Sequence, residues 1–314
     1  MRLVIFLIVP GIILFSCKSS SEPETETPVV KGDISPEKNQ QEDYVFKFAN
    51  VEMVVSPRIG GRILDLKIGN IYLLTGSDVN DENYGSTLWP SPQSTWGWPP
   101  PATLDRQPYE VNDTDKRLLL KSQQDPTFGV KFEKEIRVST KDTSITIVYR
   151  IYNTSGRNVQ MAPWEVTRVV RGGLVFYPKG DSDAWGDRIL ELNNDIYWMQ
   201  DYNQPTGSAR KSFSDGSEGW TAFVWQDGVQ GYMLIKKYED IPANASAPDQ
   251  GEVEIYLSDN YWYIEVETQG RYGSISTDKP MVWTMVWYPR QISKNISVVK
   301  GNAELVSLVR SIVK

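Results

Sequence analysis

Tyr263, Glu265, Glu267 and Gln269 occupy every second position of one segment, with Trp262, Ile264, Val266 and Thr268 between them. Period-2 alternation puts the first set on one face of a strand and the second set on the other. Two carboxylates, a phenol and an amide in one row can accept protons from hydroxyl groups or hold the hydroxyls of a sugar. The same row also fits a strand that faces water, and pattern alone favours that plainer reading.

A second source of chemistry is aromatic. Between Leu88 and Tyr109 the chain carries Trp89, Trp96 and Trp98 among Pro90, Pro92 and Pro99 to Pro101, with Asp105 and Arg106 close behind. The prolines reduce the entropy lost when such a segment is fixed. An exposed indole can cover the C–H face of a pyranose while polar neighbours take its hydroxyls; the alternative is that these rings pack the rim of a fold. Asp181 to Leu192 is similar in spacing to a calcium loop, but Trp185 and Leu192 stand where oxygen ligands belong, so a polar turn is the expectation there.

What is missing narrows the field. The 314 residues include no histidine, although they include 11 Trp and 16 Tyr. Ser-His-Asp and Cys-His triads, histidine zinc sites and histidine acid/base pairs are excluded within this chain. The only cysteine is Cys17, so internal disulfides and cysteine-ligated zinc are excluded too. No phosphate-binding loop or dinucleotide fingerprint is visible, and neither a metal nor a cofactor is expected. The formal net charge of -7 argues against a nucleic-acid partner.

The elements that must position these residues read as strands. Tyr44, Phe46 and Phe48 alternate with polar neighbours, as do Val51, Met53 and Val55. Ile145 to Ile151, Val253 to Leu257 and Met281 to Trp287 repeat the pattern. Residues 220–226 and 230–237 read as a hairpin closed through Asp227-Gly228. Helical periodicity appears only at the end, where Asn302 is placed to cap a short helix with Leu305, Val306 and Val309 on one stripe. Residues 43–314 are therefore expected to form a single all-β domain, an antiparallel sandwich of two sheets with a short C-terminal helix.

Glu267-Thr268-Gln269, late in the chain, is similar to the Glu-Thr-Gln segment of aldose 1-epimerases, the galactose mutarotases. Ser56-Pro-Arg-Ile-Gly-Gly-Arg-Ile63 resembles their early glycine-rich strand, and Ala162-Pro-Trp-Glu-Val-Thr-Arg168 resembles the central strand that carries their catalytic histidine. The run Leu88-Trp-Pro-Ser-Pro-Gln93 with Trp96-Gly-Trp-Pro-Pro100 resembles a group of secreted bacterial proteins with the same fold. The resemblance implies a large antiparallel β-supersandwich of the galactose mutarotase-like type. It also implies that Glu267 is the base and Arg62 a sugar contact, and that the acid position falls on Trp164 or Glu165. Glu165 in that position would face Glu267 as a second catalytic carboxylate across a groove. Trp164 there would replace an acid with a stacking surface. Trp96, Trp98, Glu265 and Gln269 complete the expected substrate-binding set.

Residues 1–16 read as a secretory signal: Arg2 gives the positive start and Leu3 to Leu14 an apolar run too short to span a bilayer. Leu14-Phe-Ser-Cys17 then resembles a lipoprotein cleavage box, with Cys17 the lipidated residue. Residues 17–42 carry few apolar groups and are expected to form a disordered tether with a reach of about 80 Å. The expectation is a monomeric lipoprotein of the cell envelope, on the outer membrane, touching membrane only through its lipid. It would bind or process carbohydrate without the histidine-dependent mutarotase reaction. The alternative is an epimerase, glycosidase or lyase that uses carboxylates in place of histidine.

Overall fold

The computed structural model describes residues 32–114, 116–258 and 262–314. Two large antiparallel sheets account for about half of them. The first runs from Glu191–Asn193 through Ile196–Gln200, Leu174–Pro178, Trp220–Asp227, Gln230–Lys237, Met281–Gln291, Ser144–Asn153, Val130–Ser139 and Arg117–Lys121 to Glu110–Thr114. The second runs from Trp185–Gly186 through Arg210–Ser214, Val253–Leu257, Tyr263–Gln269, Val159–Val170, Ser86–Ser91, Arg62–Ile68, Val51–Ser56 and Tyr44–Phe48 to Glu37–Lys38. This second layer is called the Glu267 sheet below. The all-β sandwich with a short terminal helix is thus present.

The alternating apolar residues decide which faces meet. Phe46, Met53, Leu66, Ile264 and Val266 of the Glu267 sheet pack against Ile147, Phe223, Leu234, Met285 and Trp287 of the other. Each such side chain contributes about 1.5–3 kcal/mol by leaving water. The hairpin closes at Asp227 and Gln230, and Gly228 adopts the positive φ that its turn needs.

The outer face of the first sheet is covered by the helix Ala303–Ile312. Asn302 caps it, its side-chain oxygen accepting the Glu304 N–H at 3.0 Å. Leu305, Val306 and Val309 pack on Phe176, Trp198, Trp220 and Ile235. Among the described residues the outer face of the Glu267 sheet has no helix of that length. Its cover is the Trp- and Pro-rich segment after Ser86–Ser91, and the side chains described next lie under it.

The chain joins the fold earlier than the tether expectation placed it. Asp33–Ile34 pairs with Val138 and Ser139, and Glu37–Lys38 pairs with Tyr44 and Val45. Residues 33–38 lend backbone hydrogen bonds to strand edges, which low side-chain hydrophobicity does not reveal. The signal segment 1–16, Cys17 and the start of the expected tether lie outside the described residues.

Candidate functional site

The strand Tyr263–Gln269 lies between Val253–Leu257 and Val159–Val170, and its register sets the site. Ile264 and Val266 point between the sheets, so Tyr263, Glu265, Glu267 and Gln269 point outward. They do not face open water: all four are buried, Glu267 and Gln269 completely. The solvent-facing reading of this row fails because neighbouring strands and the aromatic segment roof it over.

Trp164 is the nearest roof. Its indole N–H donates to Glu267 Oε2 at 2.9 Å. Lys211 Nζ donates to the same oxygen at 2.9 Å and reaches Glu254 Oε2 at 2.7 Å. The ammonium also lies 4.8 Å from the Trp164 ring centroid. Burial pulls Lys211 down, but Glu267 and Glu254 outweigh it and hold the ammonium above its ordinary value. Burial pushes the Glu267 carboxyl well above the usual carboxylate range, against the pull of Lys211 and with Glu254 nearby. Glu267 Oε1 is buried with no hydrogen-bond partner.

Glu265 is clamped from its own side of the row. Arg168, on the adjacent strand, donates through Nε to Glu265 Oε1 at 2.8 Å and through Nη1 to Thr87 Oγ1 at 3.1 Å. Its guanidinium lies 4.8 Å from the Trp89 ring centroid. Trp89 also meets Trp164 edge to face at 5.4 Å, and its N–H donates to Asp105 Oδ1 at 2.7 Å.

Above this layer opens a cleft of about 280 Å³, lined by Trp98, Trp164, Lys211, Tyr256, Tyr263 and Glu265 with Asn83, Gln93 and Trp89. Trp98 forms a wall: its ring meets Trp89 edge to face at 5.9 Å, and 53% of the residue remains exposed. Beyond Lys211, towards the sheet edge, exposed Trp185 stacks on Phe213 at 5.7 Å and 12°. The cleft therefore offers ring faces, one held ammonium, one clamped carboxylate and two phenols. That set suits a ligand with an apolar ring face and hydroxyl edges.

Several expected site residues lie elsewhere. Glu165 is on the opposite face of its strand from Trp164 and points between the sheets. It accepts from Lys236 Nζ at 2.5 Å, from Ser86 Oγ at 2.6 Å and from Thr167 Oγ1. The Glu165–Glu267 pair across a groove is therefore absent, because adjacent residues of one strand cannot share a face. Arg62 is also internal. It donates to both oxygens of Asp105 at 3.3 Å and to the carbonyls of Glu82 and Tyr84 at 2.9 and 3.4 Å. Gln269 is engaged with Ser91 and Glu254. Trp96 is half-buried, donates to the Pro90 carbonyl at 2.7 Å and packs behind the cleft. Of the expected set, Trp98, Trp164 and Glu265 line the cleft; Glu267 lies beneath it, sealed by Trp164 and Lys211.

The sequence reading missed Lys211, Tyr256, Asn83 and the clamp by Arg168. Arg210-Lys-Ser-Phe-Ser214 alternates as a short strand, and that period was the one signal that could have placed Lys211 and Phe213 on a common face.

No family model matches the chain, and no curated protein matches it by sequence. Solved structures do match. A galactose mutarotase-like protein from Lactobacillus casei aligns over 79% of this chain and 100% of its own, with 10% identity and a TM-score of 0.56. A galactose mutarotase related enzyme from Lactobacillus acidophilus aligns over 82% and 98%, with 9% identity and a TM-score of 0.53. The chain has the galactose mutarotase-like fold. The Slr1438 protein from Synechocystis aligns over 85% of this chain and 100% of its own, with 12% identity and a TM-score of 0.56. Within the galactose mutarotase-like fold of this chain, the residue that meets Glu267 from the central strand is Trp164. An indole N–H donates a hydrogen bond but does not ionise near neutral pH. The side chain that covers the carboxylate from this strand is therefore a hydrogen-bond donor with no titrating proton.

Proposed function

We propose that this protein binds carbohydrate in the cleft over Glu267 and does not carry out a histidine-dependent mutarotase reaction. One observation carries the reading: Glu267 is fully buried, and one of its oxygens is held by both the Trp164 indole and the Lys211 ammonium. A base that must take a proton from a sugar hydroxyl has to reach that hydroxyl. This one is roofed by the Trp164 ring, which is itself buried. Trp98 supplies an exposed ring face, Tyr256 and Tyr263 supply phenols at the edge, and Glu265 and Lys211 supply charged hydrogen-bond partners. In the same reading the protein is a lipoprotein of the cell envelope, held to the outer membrane through Cys17, a role supported by the first 17 residues of the sequence.

A glycan array and calorimetry with wild type and Trp98→Ala test binding; loss of glycan signal in the variant is the expected result. Polarimetry on glucose and galactose tests the reaction, and rates no higher than the uncatalysed ones are expected. Catalysed mutarotation abolished by Glu267→Gln would reverse the reading in favour of an enzyme. Metabolic labelling with an alkyne fatty acid, lost in Cys17→Ala, tests the anchor.

A further inference from the structure

A second hollow, of about 630 Å³, lies on the same sheet beside the first. Two features fix how close they are. Tyr263 lines the first cleft and Val170 the second, and these residues are direct cross-strand partners. Asn83 lines the first and Tyr84, the next residue, lines the second. The boundary between the hollows is thus one residue pair of the sheet and one peptide of the loop above it.

The second hollow has its own mixture of ring, aliphatic and polar surface. Leu64, Leu74 and Val79 give it apolar walls, while Tyr84 and exposed Tyr72 supply aromatic rings. Asp65, Thr75 and Asp78 supply oxygen. Thr75 is 3% exposed, and its Oγ1 has no hydrogen-bond partner. Asp65, on the neighbouring strand, is half-buried. The nearby Lys67 is engaged by Glu52 at 2.8 Å. Leaving the buried Thr75 hydroxyl unbonded is costly, and a ligand hydroxyl would satisfy it beside the half-buried Asp65 carboxylate. Burial also raises the Asp65 carboxyl above its ordinary value.

We propose that this hollow is a second ring-binding subsite continuous with the cleft over Glu267, so that the ligand is an oligosaccharide crossing the Tyr263–Val170 boundary. The proposal rests on the carbohydrate reading of the first cleft. It adds length and charge to it. The lining includes two carboxylates and no lysine or arginine, so the sugar held here is neutral or amino-substituted and not a uronate.

Calorimetric titration with cello-, xylo-, manno-, galacto- and glucosamine oligosaccharides, each graded from one to six units, provides the test. Wild type is expected to bind at least one series, with affinity rising tenfold or more between the single sugar and the longer members. Asp65→Asn and Thr75→Val should abolish that gain and leave single-sugar affinity unchanged, with near-ultraviolet circular dichroism confirming a native fold. Affinity that does not depend on length, or a gain that survives both substitutions, overturns the second subsite and leaves the first cleft standing. Failure of every series at every length overturns the carbohydrate reading and this inference with it.

Discussion

The Trp164 indole N–H and the Glu267 carboxylate meet at 2.9 Å on the outer face of a sheet, under a roof of further tryptophans. Each supports the other: the carboxylate satisfies a donor that would otherwise be buried alone, and the ring keeps water from the carboxylate. Trp164→Phe keeps most of the ring and removes the donor. It is expected to destabilise the protein by about 1–3 kcal/mol in urea unfolding.

Lys211 carries more of the load. Glu254 and Glu267 are both fully buried and both lie against its ammonium. Lys211→Met leaves two carboxylates without their cation, and a loss of about 3–5 kcal/mol is expected at pH 8. The Glu267 carboxyl is raised by burial, so it takes up a proton more readily than an exposed one. The destabilisation should therefore shrink as the pH falls towards 5, and thermal melts of wild type and variant across that range check it.

Glu165 belongs to the core, and its variants separate stability from binding. Lys236→Met strands Glu165 between the sheets and is expected to cost about 3–5 kcal/mol. Adding Glu165→Gln removes the stranded charge and should recover part of the loss, a coupling that a double-mutant cycle measures. Ligand affinity of the double variant, measured on material that folds, should match wild type.

Lys134 makes a pH-dependent contribution to stability. It donates to the carbonyls of Gly60 and Gly61 at 2.8 and 3.0 Å, and burial lowers its pKa to about 7. Between about pH 7 and pH 10 the unfolded chain holds this proton and the folded chain does not, so the contribution of this group to stability climbs with pH through that window. Above about pH 10 the unfolded chain ionises its tyrosines while buried Tyr109, Tyr149 and Tyr238 resist, which turns the trend downward. Lys134→Met should flatten the rise, as read from denaturant midpoints at pH 7 and pH 9.5.

Trp98 is the complementary case. More than half of it is exposed, so Trp98→Ala should change stability by less than about 0.5 kcal/mol. As the wall of the cleft it should nonetheless lower ligand affinity about tenfold or more. Equal affinities in the two proteins would remove it from the site.

Much of this architecture was legible as period-2 alternation. Ile264 and Val266 point inward because apolar side chains drive the two sheets together, and the same alternation correctly placed Glu265 and Glu267 on a common face. What the pattern did not contain was the third dimension. Glu267 is buried by Trp164 and Lys211, the latter 56 positions away, and no local period reports a roof made from distant strands. Trp164 and Glu165 show the same limit at shorter range. Their neighbouring positions determine that one faces out and the other in, but only the register against Gln269 and Thr268 says which. Arg62 failed as a sugar contact for another reason. An arginine in a glycine-rich turn can bind ligand or fasten the turn, and Gly60 decides it here: a Cβ there would meet the Asp105 carbonyl oxygen at 2.0 Å. Backbones pressed that closely leave the guanidinium inside.

Arg62 grips the loop between the two hollows through the carbonyls of Glu82 and Tyr84, and main-chain oxygens are present whatever residue carries them. Side chains at 82 and 83 can therefore change without releasing the wall. Related chains could diversify what they recognise by rewriting Asn83 and its neighbours, while a single buried cation keeps the partition in place.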